Sequence, residues 1–116
     1  MIRRIQGDTA SYCREDGQLT AVLREQLSGD TATLWLRGSF GNEMAHELGD
    51  ELEALASVDL SLRLDLSGVT YLAAYAQEEL LTAQLAVEKH HRRMVLCHVP
   101  APLRELLVMT GFYEML

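Results

Sequence analysis

Cysteine is nearly absent: Cys13 and Cys97 are the only two among 116 residues. Two lone cysteines do not make a disulfide framework. Cys97 lies inside the apolar run 94–99 and reads as a small buried hydrophobe, whereas Cys13 sits in a polar segment. Proline is as scarce, and its two residues, Pro100 and Pro102, stand together where they break a strand-like run. No apolar run approaches the ~18 residues that cross a bilayer, so no membrane segment is expected. Residues 1–8 are basic but no apolar core follows them, so no secretory leader is expected and a cytoplasmic protein is the default. Cations are the minority, 10 Lys and Arg against 17 Asp and Glu, for a formal charge of −7. That balance argues against general nucleic-acid binding, which neutralises phosphates with Lys and Arg. The one basic cluster, 89–93, reads as a helix end, where cations oppose the negative pole of the helix dipole.

The motifs of chemistry are missing too. His90 and His91 are adjacent, so they point apart on a helix, and His46 and His98 have no Cys or His at ligand spacing. Ser67-Gly68 lacks the G-x-S-x-G frame of a nucleophile elbow. Ser39, between Gly38 and Gly41, belongs to no phosphate-binding or dinucleotide fingerprint. Glu78 and Glu79 diverge on a helix and read as a solvated face. Asp65 reads as a hydrogen-bonding residue at a strand end. The expectation is a protein that is not an enzyme, with no cofactor and no metal.

What the chain does contain is an alternation of strand-like and helix-like segments. Its 48% hydrophobic and 23% charged content is that of an ordinary globular protein, and its length suits one domain. Residues 1–18 are the least patterned. Ala10-Ser11-Tyr12-Cys13-Arg14 fits either an extra edge strand, with Asp16-Gly17 as its turn, or a loosely held arm. Segments 19–26 and 31–37 read as two strands joined at Ser28-Gly29-Asp30. Residues 38–42 read as a loop, with Asn42 as an N-cap and Glu43 in the first helical turn. Met44, Leu48, Leu52, Leu55 and Ala56 then form one helical stripe.

Leu60, Leu62, Leu64 and Leu66 alternate with Ser61, Arg63 and Asp65, which predicts a strand that turns at Gly68. Residues 75–90 read as a helix. Leu80, Leu81, Ala83, Leu85 and Val87 supply its apolar side, and Gln77, Glu78, Gln84 and Glu88 its wet side. The near-continuous apolar run 94–99 predicts a strand covered on both faces. Pro102 suits a first helical position, Leu103, Leu106 and Leu107 make a short stripe, and Gly111 ends it. Residues 112–116 read as a tail that packs back on the core. Strands alternating with helices imply an α/β fold with parallel pairs and right-handed crossovers.

Four stretches in this order resemble the STAS domain, the fold of bacterial anti-sigma-factor antagonists of the SpoIIAA type. Leu34-Trp35-Leu36-Arg37-Gly38 is similar to the family's second strand and its terminal glycine. Leu64-Asp65-Leu66-Ser67-Gly68-Val69 is similar to the strand before the switch loop. Met94-Val95-Leu96-Cys97-His98-Val99 resembles the last strand, and residues 103–111 with the tail Phe112-Tyr113-Glu114-Met115-Leu116 the closing helix and end. Together these span residues 19–116 and leave 1–18 as an N-terminal extension or extra edge strand. The resemblance implies a STAS-like fold, a mixed four- to five-stranded sheet with an N-terminal hairpin and three to four helices packed against it.

The departure is in the loop. The family carries Asp-Ser-(Ser/Thr)-Gly there, and this chain has Ala73-Ala74-Tyr75-Ala76. The phosphoserine position falls on Ala74, which has no hydroxyl. The resemblance therefore implies a non-enzymatic regulatory interaction module that is not switched by phosphorylation at Ala74. The partner it implies is an anti-sigma factor or a serine kinase of the histidine-kinase-like ATPase type. The residues placed at that interface are Ser39, Asn42, Leu72, Ala73, Ala74, Tyr75, Gln77 and Glu78. Ser67, Thr70, Ser39 and Tyr75 are other hydroxyls near this end, and phosphorylation at one of them stays open. The alternative is a structural subunit that forms a homodimer or larger signalling assembly through residues 1–17. A simpler account of 73–76 is that small residues let a helix pack closely on the sheet.

Overall fold

The computed structural model describes residues 1–111, and the tail expected to pack back at 112–116 lies outside the described residues. The elements are β1 (Ile2–Gln6), β2 (Thr9–Cys13), β3 (Leu19–Ser28), β4 (Thr31–Phe40), α1 (Asn42–Ala56), β5 (Ser61–Leu72), α2 (Ala74–Glu88), β6 (Met94–Cys97) and α3 (Ala101–Met109). All six strands lie in one sheet, in sequence order. β1 to β4 pair antiparallel, then β4, β5 and β6 pair parallel. The change follows from the connections. Tight turns around Gly7 and Gly29, at φ 60° and 62°, return the chain beside itself. After β4 a helix intervenes, and a helical crossover yields a parallel neighbour.

Both crossovers step the same way across the sheet, so right-handedness puts α1 and α2 on one face. The core forms there. Leu34 and Leu64 from the sheet meet Leu48 and Leu52 of α1, Leu80 of α2 and Leu107 of α3, all fully buried. The other face of the sheet carries no helix among the described residues. This corrects the expectation for the last strand. β6 alternates, with Met94 and Leu96 buried and Val95 and Cys97 half-buried, so it is covered on one face only.

Two strands are longer than the sequence pattern suggests. β4 continues through Gly38 to Phe40, where a loop was expected, and β5 runs through Gly68 to Leu72 with no turn at Gly68. β5 accommodates its length with two register shifts against β4, opposite residues 35–37 and 38–39. Asp65 supports the first of these bulges, its Oδ1 accepting the Ser67 N–H at 3.0 Å. Helix bounds shift as well. Gly41, not Asn42, is the N-cap of α1, and no side chain caps that helix. The basic cluster lies beyond α2 rather than in its last turn. Arg92 instead bridges Asp30 at 2.6 Å and Asp59 at 3.0 Å, tying two turns together at that end of the sheet.

Residues 1–18 form strands, not a loose arm. β2 pairs with β3, and Tyr12 is 2% exposed in the same core. Arg3 Nε donates to the Tyr12 hydroxyl at 3.2 Å. The hairpin brings the sheet to six strands and leaves a cleft of about 200 Å³ beside α1, lined by Arg3, Tyr12, Leu23, Glu25 and Glu51 among others. Glu25 sits on the helix side of β3 with one enclosed oxygen, Oε1, that has no hydrogen-bond partner among the described residues. The neighbouring Glu51 carboxyl, together with burial, raises its pKa from 4.5 to about 7.

The sign of the pH effect follows. Below pH 4.5 both folded and unfolded chains hold this proton. Between 4.5 and about 7 only the folded chain does, so stability falls as pH rises through that window. Because the cleft opens to water, screening reduces the effect to about 1 kcal/mol. Glu25→Gln is expected to raise the melting temperature at pH 8 by about 5 °C and to flatten its dependence between pH 5 and 8. Parallel melts of the two proteins check this, and an unchanged pH slope in the variant refutes it.

Candidate functional site

The C-terminal ends of β4 and β5 bring two loops together. The Ala73 N–H donates to the Phe40 carbonyl at 2.9 Å, which closes the parallel ladder and fixes the start of α2 against the start of α1. Gly41 and Ala73 are the N-caps, and neither helix has a side-chain cap. The first N–H groups of both helices therefore face the same end of the molecule without an internal side-chain acceptor.

The residues expected at an interface divide here. Asn42, Ala74 and Glu78 are exposed, and Ser39 and Tyr75 are half-buried. Leu72 and Ala73 are buried at 3% and 7% exposure and serve as the floor. The helical pattern puts Gln77 on the wet side, and it is instead buried. Its Nε2 donates to the Leu72 carbonyl at 3.2 Å, and its Oε1 accepts from the Thr110 hydroxyl at 3.2 Å. It joins β5, α2 and the end of α3, so its role is structural. Tyr75 leans on α1: its ring meets His46 edge-on at 4.9 Å between centroids, with the hydroxyl 3.3 Å from Nδ1.

α2 differs from expectation on its apolar side. Ala76, Gln77, Leu80, Ala83 and Val87 face the core. The pattern groups Leu81 and Leu85 with Leu80, Ala83 and Val87, and they are instead 45% and 54% exposed. The helix turns 100° per residue, and Leu81 and Leu85 fall on the same outer stripe as Ala74 and Glu78, at spacings of four, three and four. A continuous exposed stripe thus runs from the loop along α2. Tyr71, 57% exposed at the end of β5, lies beside the same loop. The sequence pattern marks neither Tyr71 nor the leucine stripe as exposed: the spacing is visible, but a leucine on a helix reads as core.

Other polar groups lie elsewhere. Asp65 is 8% exposed, and burial by itself raises a carboxyl's pKa. The N–H of Ser67 and the ring of His98, 2.7 Å away, outweigh burial and hold it below its ordinary value. Among the described residues no three His, Cys, Asp or Glu side chains gather as a metal site, and no helix is long and apolar enough to cross a membrane.

The family model described as "Mlab, STAS domain" matches residues 23–116. The chain belongs to the STAS domain family. Solved STAS structures agree in fold. The anti-sigma-factor antagonist SpoIIAA in its unphosphorylated form superposes with a TM-score of 0.73 at 10% identity, over 80% of this chain and 84% of that one. The phosphorylated form of SpoIIAA, a Bacillus cell-fate determinant, gives 0.68 at 9% identity, over 80% and 86%. An anti-sigma-factor antagonist from Mycobacterium paratuberculosis gives 0.71 at 17% identity, over 89% and 86%. No curated protein sequence matches significantly. The STAS match begins at residue 23, so β1 and β2 precede it.

Proposed function

We propose that this STAS domain is a non-enzymatic interaction module that binds a protein partner through the β4–α1 and β5–α2 loops and the outer stripe of α2. The observation that carries this is the stripe Ala74, Glu78, Leu81 and Leu85. It carries two half-exposed leucines along α2 away from a loop whose helix N-terminus has no side-chain cap. The similarity to anti-sigma-factor antagonists supports an anti-sigma factor, or a serine kinase of the histidine-kinase-like ATPase type, as partner. Ala74 carries no hydroxyl, so the module is not switched by phosphorylation at that position. A phosphate there would add nearly two negative charges at a helix N-terminus.

Affinity capture from native extract, with the wild type beside Glu78→Arg, tests this reading. Glu78 is exposed and the substitution leaves the core untouched. The expected result is one ATPase or anti-sigma factor retained by the wild type and lost with the variant. Retention of the same protein by both forms removes the surface from consideration.

A structural role in a homodimer has one observation in its favour. β1 is an exposed edge strand bearing Ile2 and Ile5 at 43% and 62% exposure, and such edges pair readily with another chain. Mass in solution decides it. A dimer that becomes monomeric on Ile5→Lys supports this second reading.

A further inference from the structure

The helix-free face of the sheet carries a charge pattern opposite to that of the whole chain. Arg24 of β3, Arg37 of β4 and Arg63 of β5 stand on it, all exposed, in a chain with a formal charge of −7. The register sets Arg24, Trp35 and Asp65 in one row, Val22, Arg37 and Gly68 in the next, and Thr33 with Arg63 on the opposite side. Asp65 is the only acidic residue that β3 to β6 place on this face, and it is already engaged by Ser67 and His98. The Arg24 guanidinium lies 4.6 Å over the Trp35 ring and 3.2 Å from Asp8. Arg37 and Arg63 have no ion-pair partner among the described residues.

The surface between Arg24 and Arg37 is shaped. A shallow depression of about 340 Å³ is lined by Val22, Arg24, Trp35, Arg37, Asp65 and Gly68, among others. Gly68 is required there for space rather than for a turn. A Cβ at this position would stand 2.8 Å from Cγ of Arg37, so the glycine lets the arginine stem lie flat across β5. The indole offers an apolar platform, and the guanidiniums offer paired donors that match carboxylates. From Arg37 to Arg63 the backbone positions are about 15 Å apart, which an extended segment of four or five residues spans.

We propose that this face docks a short acidic polypeptide segment of a partner protein. The surface is separate from the loop and α2 stripe, so the proposal goes beyond the reading above. Arg4 of β1 continues the row of Val22 and Arg37 on this face. The chain's formal charge of −7 disfavours a long nucleic-acid backbone and leaves a short acidic segment as the occupant.

Trp35 is the only tryptophan of the chain, so its fluorescence reports this site alone. The full chain is titrated with octaglutamate at low salt, and in parallel with an eight-residue oligothymidylate. The expected result is a saturable change with octaglutamate, with affinity falling about tenfold on raising salt from about 20 to 200 mM. Arg37→Glu/Arg63→Glu is expected to weaken it at least about tenfold. Arg37→Gln/Arg63→Gln serves if the charge reversal lowers the melting temperature. No saturable response to octaglutamate, an equal response in the variants, or tighter binding of the oligothymidylate overturns the proposal.

Discussion

Gly38→Ala lowers the melting temperature by about 15 °C. Gly38 lies in β4 at φ 102°, a backbone region that a Cβ resists. The added carbon would also fall onto the Thr20 carbonyl oxygen and lie 2.9 Å from Cα of Ala21. Both obstacles are backbone of β3, which cannot swing aside as a side chain can. Relief requires β3 and β4 to separate where Ala21 pairs with Gly38, near the β4–α1 loop. Strain of about 1–3 kcal/mol combines with the disturbed ladder to give roughly 3 kcal/mol, and a domain of this size shifts by about 4–8 °C per kcal/mol. Gly17→Ala separates the two contributions. Gly17 has φ 89° but nothing within 4 Å of an added Cβ, so only the conformational strain remains and a shift near 5 °C is expected. Thermal melts of both variants check this. A Gly38→Ala shift no larger than that of Gly17→Ala removes the steric account.

Ala74→Glu weakens partner binding at least about thirtyfold while leaving the fold intact or slightly stabilised. Ala74 is exposed at the first position of α2, where a carboxylate lies in the favourable field of the helix N-terminus. That field is worth about 0.3–1 kcal/mol to stability. The same charge stands at the centre of the proposed interface, where a partner has to desolvate it. A buried charge without a counterpart costs about 2–5 kcal/mol, which sets the expected loss. Stability and binding move in opposite directions, so misfolding cannot imitate the result. Calorimetry with the captured partner, beside a melt of the variant, gives both numbers. Unchanged affinity places the interface away from Ala74. Ala74→Ser tests the proposal that this loop has no switch, since it places a hydroxyl where the STAS resemblance puts the phosphoserine and is expected to make the loop a kinase substrate.

Where sequence and structure part company, each case has a local cause. Gly38 and Gly68 look like punctuation, and both lie inside strands. The first is needed because β3 passes too close for a side chain, the second because the stem of Arg37 crosses it. Contacts between strands far apart in sequence leave no periodic trace. Gln77 has the composition of a wet helix face, yet it supplies a donor to the Leu72 carbonyl and an acceptor to Thr110, partners 5 and 33 residues away. α2 has apolar residues on more than one side, so spacing alone did not separate Leu80 from Leu81. Which of the two is buried depends on where α1 lies.

The amino-acid sequence by itself determined the α/β class, the order of hairpin, helices and parallel strands, and the STAS resemblance, which in turn proposes Ala74 for the phosphoserine position. These are properties of composition, short-range periodicity and residue identity, and they survive without knowledge of any distant contact. The tertiary structure decided the six-stranded extent of the sheet and the burial of Gln77. It decided the outward leucines of α2 and the arginines gathered around Trp35 on the open face. Each of those depends on which segment of chain packs against which, and packing is settled only when the whole core closes.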